Sequence, residues 1–415
     1  MRSTGKFVRK TVYERKDVER PPLSLNRLLA KAFGVGRWTL RVGRSLPNPI
    51  APGYPPRCCS SIPLPLLNIL LIRFLASLFF CVASTALAQN PPPAPTPSIV
   101  YSVRDENAIA QYRTDPAVVR AMVDRLVLAV TGQPNTARAW RSLVSPQDKV
   151  GIKISAAGGE LFTTHRDVVN AVVDGLVAAG HSRNRIIVWD RQLTGIKAAG
   201  YRPGAEGYQL RSIEPRDGYD AKAIFSAPSI GKLIWGDLDY VPRRGANPIE
   251  ADTVNTSTVS HFAKIVSNEV TKIINLPVMS DSSAAGLAGC LYNMTLPNVD
   301  NWRRFTQYGM LGASGMAEMY REPVIANKVV LNLMDGLIAA YAGGPESHPN
   351  YAVHNATLLA SRDPVAIDVI ALRRLEDKRI EAKLPPIGRL AAHVQIAGQI
   401  GVGNADRIEL KSLGR

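Results

Sequence analysis

Five aspartates stand where chemistry could be done in this sequence: Asp190, Asp281, Asp335, Asp363 and Asp368. The first four close, or nearly close, short apolar runs of strand character: IIVWD (186–190), KIINLPVMSD (272–281), VVLNLMDG (329–336) and ATLLASRD (356–363). Asp368 lies one helical turn beyond Asp363 and can face the same way. In an open α/β sheet ligands collect beyond the carboxyl ends of the strands, so these side chains are expected to share a rim there. Carboxylates held that close repel unless a metal ion, a Lys or Arg, or a raised pKa relieves them. The five are therefore candidate ligands for a divalent cation. Lys153, inside the apolar run VGIKI, is costly to bury unpaired and is both their candidate partner and a candidate acid or base. His165 is the second such candidate. Asp363 has a competing explanation, because Pro364 suits a first helical position and would make Asp363 an N-cap.

A second kind of chemistry is carried by Gly158 and Gly159, which end the first apolar run ahead of Thr163, Thr164 and His165. A glycine-bearing turn leading into a helix N-terminus offers backbone N–H groups and a favourable dipole to phosphate or carboxylate. The other reading is a plain turn before a capped helix. Gly286 to Asn293 (GLAGCLYN) is similar, with small residues that let backbone approach a ligand and Asn293 as a candidate contact. No P-loop and no suitably placed G-x-G-x-x-G occurs. Ser282, Ser283 and Cys290 lack the G-x-S-x-G context of a nucleophile elbow. His165 and His261 sit near element boundaries, whereas His181, His348, His354 and His393 read as surface or loop residues.

These residues need a scaffold, and the hydrophobic periods supply one. Asp115-Pro116 opens a helix with Val118, Val119, Met122, Val123, Leu126 and Val127 at helical spacing. Thr163-Thr164 reads as the cap of a helix from 167 to 179 that Gly180 ends, and the strand IIVWD follows at once. Strand, helix, strand in that order is a βαβ unit with a right-handed crossover. Positions 195–255 are poorly patterned, with one expected β segment at 232–235. Helices are expected at 316–320, from Pro364 to about 379 and over 390–400, with a last strand at 407–410. The predicted class is α/β, a mainly parallel sheet flanked by helices, in a single mature domain.

Residues 74–88 (FLASLFFCVASTALA) are uncharged and apolar, follow Arg73, and end in Ala-Leu-Ala. Those are the parts of a secretory signal peptide, and the stretch is shorter than the roughly 20 residues that span a bilayer. The expected organisation is a basic leader (1–63) lying upstream of the natural start, a signal peptide (64–88), a proline-rich linker (89–98) and the α/β domain (99–415). That predicts a periplasmic or secreted protein with no stable membrane span in its mature part, or else one anchored by an uncleaved segment. Residues 1–63 hold thirteen Lys and Arg against three Asp and Glu, so of the formal +16 only +5 belongs to 89–415. Nucleic acid is therefore not an expected partner, and a small anionic ligand is compatible. Cys290 is the single cysteine after residue 88, which rules against an iron–sulfur cluster or a Cys-type zinc site.

Between about 150 and 410 the chain carries, in order, VGIKISAAGG with TTHRDVVNAVVDGL, IINLPVMSDSSAAGLAGCLYNMTLPNVDN, LMDGLIAAYAGGP, LLASRDPVAIDVIA and HVQIAGQIGVGNADRIEL. Through these stretches it resembles the domain of unknown function 362 family. It implies an α/β fold and, in many relatives, export, with no assigned reaction. Relatives that carry ferredoxin-type cysteine repeats differ from this chain, which lacks them. Two functions are thus expected: a metal-assisted enzyme acting on a small anionic substrate, or a non-catalytic ligand-binding or structural module of the cell envelope. Cofactor, substrate and oligomeric state stay open.

Overall fold

A strand buried on both faces must be apolar nearly throughout, and Val150–Ile154 has all five residues buried. The computed structural model describes residues 96–227, 230, 259–307, 309–344 and 348–414, all within the compact unit Asn90–Arg415. The expected leader, signal peptide and most of the linker lie outside the described residues, as does the β segment at 232–235.

In chain order the strands are β1 (Ser98–Arg104), β2 (Ile109–Ala110), β3 (Arg113–Thr114), β4 (Val150–Ile154), β5 (Ile187–Gln192), β6 (Gln209–Glu214) and β7 (Tyr219–Ser226). They continue with β8 (Val259–Ala263), β9 (Lys272–Leu276), β10 (Val278–Ser282), β11 (Gly286–Leu287), β12 (Val329–Ala340), β13 (Ala352–Ser361) and β14 (Ile408–Leu413). The main sheet runs β14-β1-β13-β12-β9-β4-β5-β6, with β10 paired to β12 off that path. From β6 to β12 every neighbour on the path is parallel, while β13 is antiparallel to both β12 and β1. The chain leaves β4 toward β5 and β6 and returns to its other side with β9, so the strand order reverses at β4. This is the mainly parallel α/β sheet that the periods predict.

Helices cover both faces. Pro116–Thr131, Thr136–Leu143 and Arg166–Ala178 build one core with Trp140, and Cys290–Met294, Met310–Arg321, Pro364–Glu381 and Ala392–Gln399 build the other with Trp189. Asp115 caps the first of these by accepting from Ala117 and Val118 N–H. Gly151 in β4 is required by close approach, because a Cβ there would lie 2.6 Å from the Trp189 ring.

Several expectations need correction. Positions 195–227 are regular after all, holding the Leu193–Ala198 helix, β6 and β7; their strands alternate burial weakly, which hides them from a periodicity reading. The run 272–281 is two strands, split at Pro277, which has no N–H for a ladder. Thr164 does not cap the next helix. His165 is the N-cap position and makes no side-chain cap bond, while the Thr164 hydroxyl is spent on the Leu276 carbonyl. His181 and His393 are buried rather than superficial, His393 with no exposed surface.

Candidate functional site

Three strands carry a polar residue at the fourth position of an apolar run: Lys153 in VGIKI, Asn275 in KIINL and Asn332 in VVLNL. Parallel pairing sets them side by side, Lys153 opposite Asn275 and Asn275 opposite Asn332. All three are fully buried, so each polar group needs a partner. Asn275 donates to the Asn332 side-chain oxygen at 2.9 Å and to the Cys290 carbonyl at 3.0 Å, and accepts from Asn293 Nδ2 at 2.8 Å. Asn293 in turn accepts from Lys153 Nζ at 3.0 Å, and Lys153 also donates to Asp190 Oδ1 at 2.6 Å and to the Ile154 carbonyl at 2.6 Å. A hydrogen-bonded row thus crosses four strands and ends at Asp190. Asp190 also accepts from the Ala156 and Arg191 backbone N–H groups at 2.7 and 2.8 Å. Burial pulls the Lys153 ammonium below its usual range, and the Asp190 charge opposes that.

The row ends in a cleft of about 370 Å³ at the carboxyl ends of β4 and β5. Ser155, Asp190 and Asn293 line its polar side, and Arg191, Trp302 and Arg303 line another. Both guanidiniums flank the indole, with Arg191 5.1 Å and Arg303 5.7 Å from the ring centroid. Arg191 is steadied by Glu214 at 3.0 Å. Lys153 is beneath the cleft wall, reached through Asp190 and Asn293. The cleft sits where the strand order reverses, the crevice that open α/β sheets offer to ligands.

Of the expected residues, the fold brings together Lys153, Asp190 and Asn293. Asp335 lies inside β12 rather than at its end, on the opposite face of the sheet, where its Oδ2 accepts from both the backbone N–H and Nδ1 of His165 at 2.8 Å. Asp335 therefore caps the Arg166–Ala178 helix from a distant strand, a role hidden in the sequence by a separation of 170 residues. Burial alone would lower the His165 pKa, but the Asp335 charge and hydrogen bond outweigh it and the pKa is raised. Asp281 accepts from Gly344 N–H at 2.8 Å and lies 3.7 Å from Arg379; burial raises its pKa. Asp363 is the N-cap of Pro364–Glu381, accepting from Ala366, and also from Ser98 Oγ and Asn404 N. Asp368 accepts from Cys290 and Leu291 N–H at 2.6 and 3.0 Å, and burial lifts its carboxyl to about 7. Among the described residues no three His, Cys, Asp or Glu side chains gather. Gly158 bridges Phe162 across a tight turn and Gly159 has a φ of 66°; neither lines the cleft, although Ala157 beside them does. Thr164 is fully buried behind that turn.

Asn275, Asn332, Arg191, Trp302 and Arg303 were not singled out from the sequence. The repeated fourth-position polar residue was a signal available for the two asparagines. The other three are set by loop geometry and gave none.

A family model described as a domain of unknown function (DUF362) matches residues 150–373, just over half of the chain. No curated protein matches. A crystal structure of a protein from Thermotoga maritima, a structural genomics target, is similar at 9% identity, with 66% of this chain and 61% of that chain covered and a TM-score of 0.36. The chain thus spans less than two thirds of that protein's length.

Proposed function

The chain belongs to the domain of unknown function 362 family, and from that premise we propose that it binds a small anionic molecule in the cleft at the carboxyl ends of β4 and β5. The observation that carries this reading is the Trp302 ring flanked by two guanidiniums, Arg191 and Arg303, over a wall whose Asp190 and Asn293 are locked by buried Lys153. Guanidiniums on an aromatic face recognise a carboxylate or phosphate on a flat or small body. A wall that is already hydrogen-bonded holds its shape without the ligand, which reduces the ordering cost of binding. Lys153 acts as a positioning residue, since its ammonium is covered by its partners.

Trp302 fluorescence tests the reading. Small dicarboxylates and phosphate monoesters titrated into the purified chain should perturb it saturably, and Arg303→Gln or Asn293→Ala should weaken that binding at least tenfold. An equal response in both variants would overturn the proposal. A metal-assisted reaction is the second reading, favoured by Asp190 as a buried carboxylate opening onto the same cleft. Asp190 already accepts three hydrogen bonds, so a cation would join an occupied carboxylate. On that reading the titration should require a divalent cation and fail in chelator.

We also propose export to the periplasm or beyond, supported by Arg73 and the apolar residues 74–88. Mass spectrometry of the native protein should find a mature terminus near Gln89. A terminus far upstream would favour the anchored form instead. Among the described residues no helix is long and apolar enough to cross a membrane.

A further inference from the structure

On the same face as the cleft, but at the opposite side of the sheet, a cavity of about 380 Å³ lies between β1, β13 and the Pro364–Glu381 helix. Its size is within the range that holds a small ligand. Arg374 enters it from the helix and Arg104 from the end of β1, with Ser102, Asn355 and Thr357 on the floor. Arg374 lacks the carboxylate partner that several other partly buried arginines have. Arg191 meets Glu214, Arg211 meets Asp217 and Glu269, and Arg379, on the same helix, meets Asp281 and two backbone carbonyls. Arg374 makes one long hydrogen bond, 3.5 Å to Ser102 Oγ, and no described carboxylate pairs with it. The charge that reaches it is Arg104, of its own sign, and burial together with that neighbour lowers its pKa. Asp377 and Glu381 also line the cavity, but Glu381 is taken by Lys378 at 2.7 Å, and Glu106 is taken by Arg104 at 2.6 Å on the exposed side.

A partly desolvated guanidinium facing a second one, with a hydroxyl and amide floor, is an arrangement that an anion relieves. We propose that this cavity is a second, independent oxyanion site, in which Arg374 is the principal contact and Arg104 the secondary one for a phosphate or carboxylate group. Arg374 supplies a planar fork suited to two oxygens, Arg104 closes the other side, and Ser102 can donate its hydroxyl proton.

The test uses inorganic phosphate in solution and selenate in crystals, on the purified chain. Calorimetry should detect phosphate binding, and selenate soaks should give an anomalous peak between Arg374 and Arg104. Arg374→Gln should raise the phosphate Kd at least tenfold and remove the peak between Arg374 and Arg104. Should Arg374→Gln fail to fold, Arg104→Gln carries the same test, with a several-fold loss expected. An absent peak, a peak confined to the Trp302 cleft, or a phosphate Kd unaltered by the Arg374 or Arg104 variant would overturn the proposal. The Trp302 fluorescence titration fails or succeeds separately, so the two sites are tested independently.

Discussion

At the residue scale the protein is governed by buried polar groups and what each is paired with. Lys153 is the pivot of the Asp190–Asn293–Asn275–Asn332 row. Lys153→Met should cost about 3–5 kcal/mol in urea unfolding, because it leaves a buried carboxylate without its cation. Lys153→Met with Asp190→Asn should cost less than the sum of the two, the non-additivity of a coupled pair. His393 is the contrary case, since neither of its ring nitrogens has a hydrogen-bond partner, and burial pushes its pKa down to about 4. Below about pH 6.5 the unfolded chain takes up a proton there that the folded chain refuses. Stability is therefore lost as pH falls from 6.5 toward 4, by up to about 3 kcal/mol from this group. His393→Leu should flatten the acid limb of the stability curve, and an unchanged limb would assign the slope elsewhere. His165 has the opposite sign. Its raised pKa gives a contribution that is complete below its unfolded value and is lost as pH rises through the folded one.

At the element scale, short or distant contacts fix the helices that shape the cleft. The Cys290–Met294 helix delivers Asn293, and its first two N–H groups are held by Asp368 from the Pro364–Glu381 helix. Gly289 makes this approach feasible, since a Cβ there would sit 2.2 Å from Asp368 Oδ1. Gly289→Ala is expected to destabilise by about 1–3 kcal/mol, as overpacking does. It should also weaken ligand binding in the cleft by moving Asn293, which a merely local strain would not do. Asp335→Ala should cost about 1–2 kcal/mol, the loss of an N-cap, and Asp335→Asn less, because one side-chain acceptor survives for the His165 N–H. Circular dichroism melts of the two variants check the order.

At the scale of the molecule, one sheet serves two cores. Trp140 reports on the core beside Arg166–Ala178, and Trp189 on the core beside Pro364–Glu381. Each core needs the same β5, β9 and β12 strands, so neither face can be lost alone. Variants in which one or other of these tryptophans is the sole fluorophore should show coincident urea transitions. Separate midpoints would mean that the cores are independently stable. The reversal of strand order at β4 also explains why the cleft opens there: connections depart to both sides and leave the strand ends uncovered.

What the sequence determined by itself is the scaffold. Apolar runs of strand length, helical spacing in 118–127 and 168–177, and the Asp-Pro starts at 115 and 363 are local signals set by backbone geometry and side-chain period, and they require no knowledge of distant residues. The pairing of Lys153 with an aspartate was legible too, because a lone lysine in VGIKI has to be paired. Which aspartate it meets was decided by β4–β5 register, and tertiary structure likewise sent Asp335 to His165 and Asp368 to a helix N-terminus. The polar row depended on three strands coming into register across 180 residues, from Lys153 to Asn332. Strand ends that look alike along the chain thus divide into a cleft wall, a distant cap, a loop anchor and a helix N-cap, since a carboxylate's role is fixed by the donors that the fold carries to it.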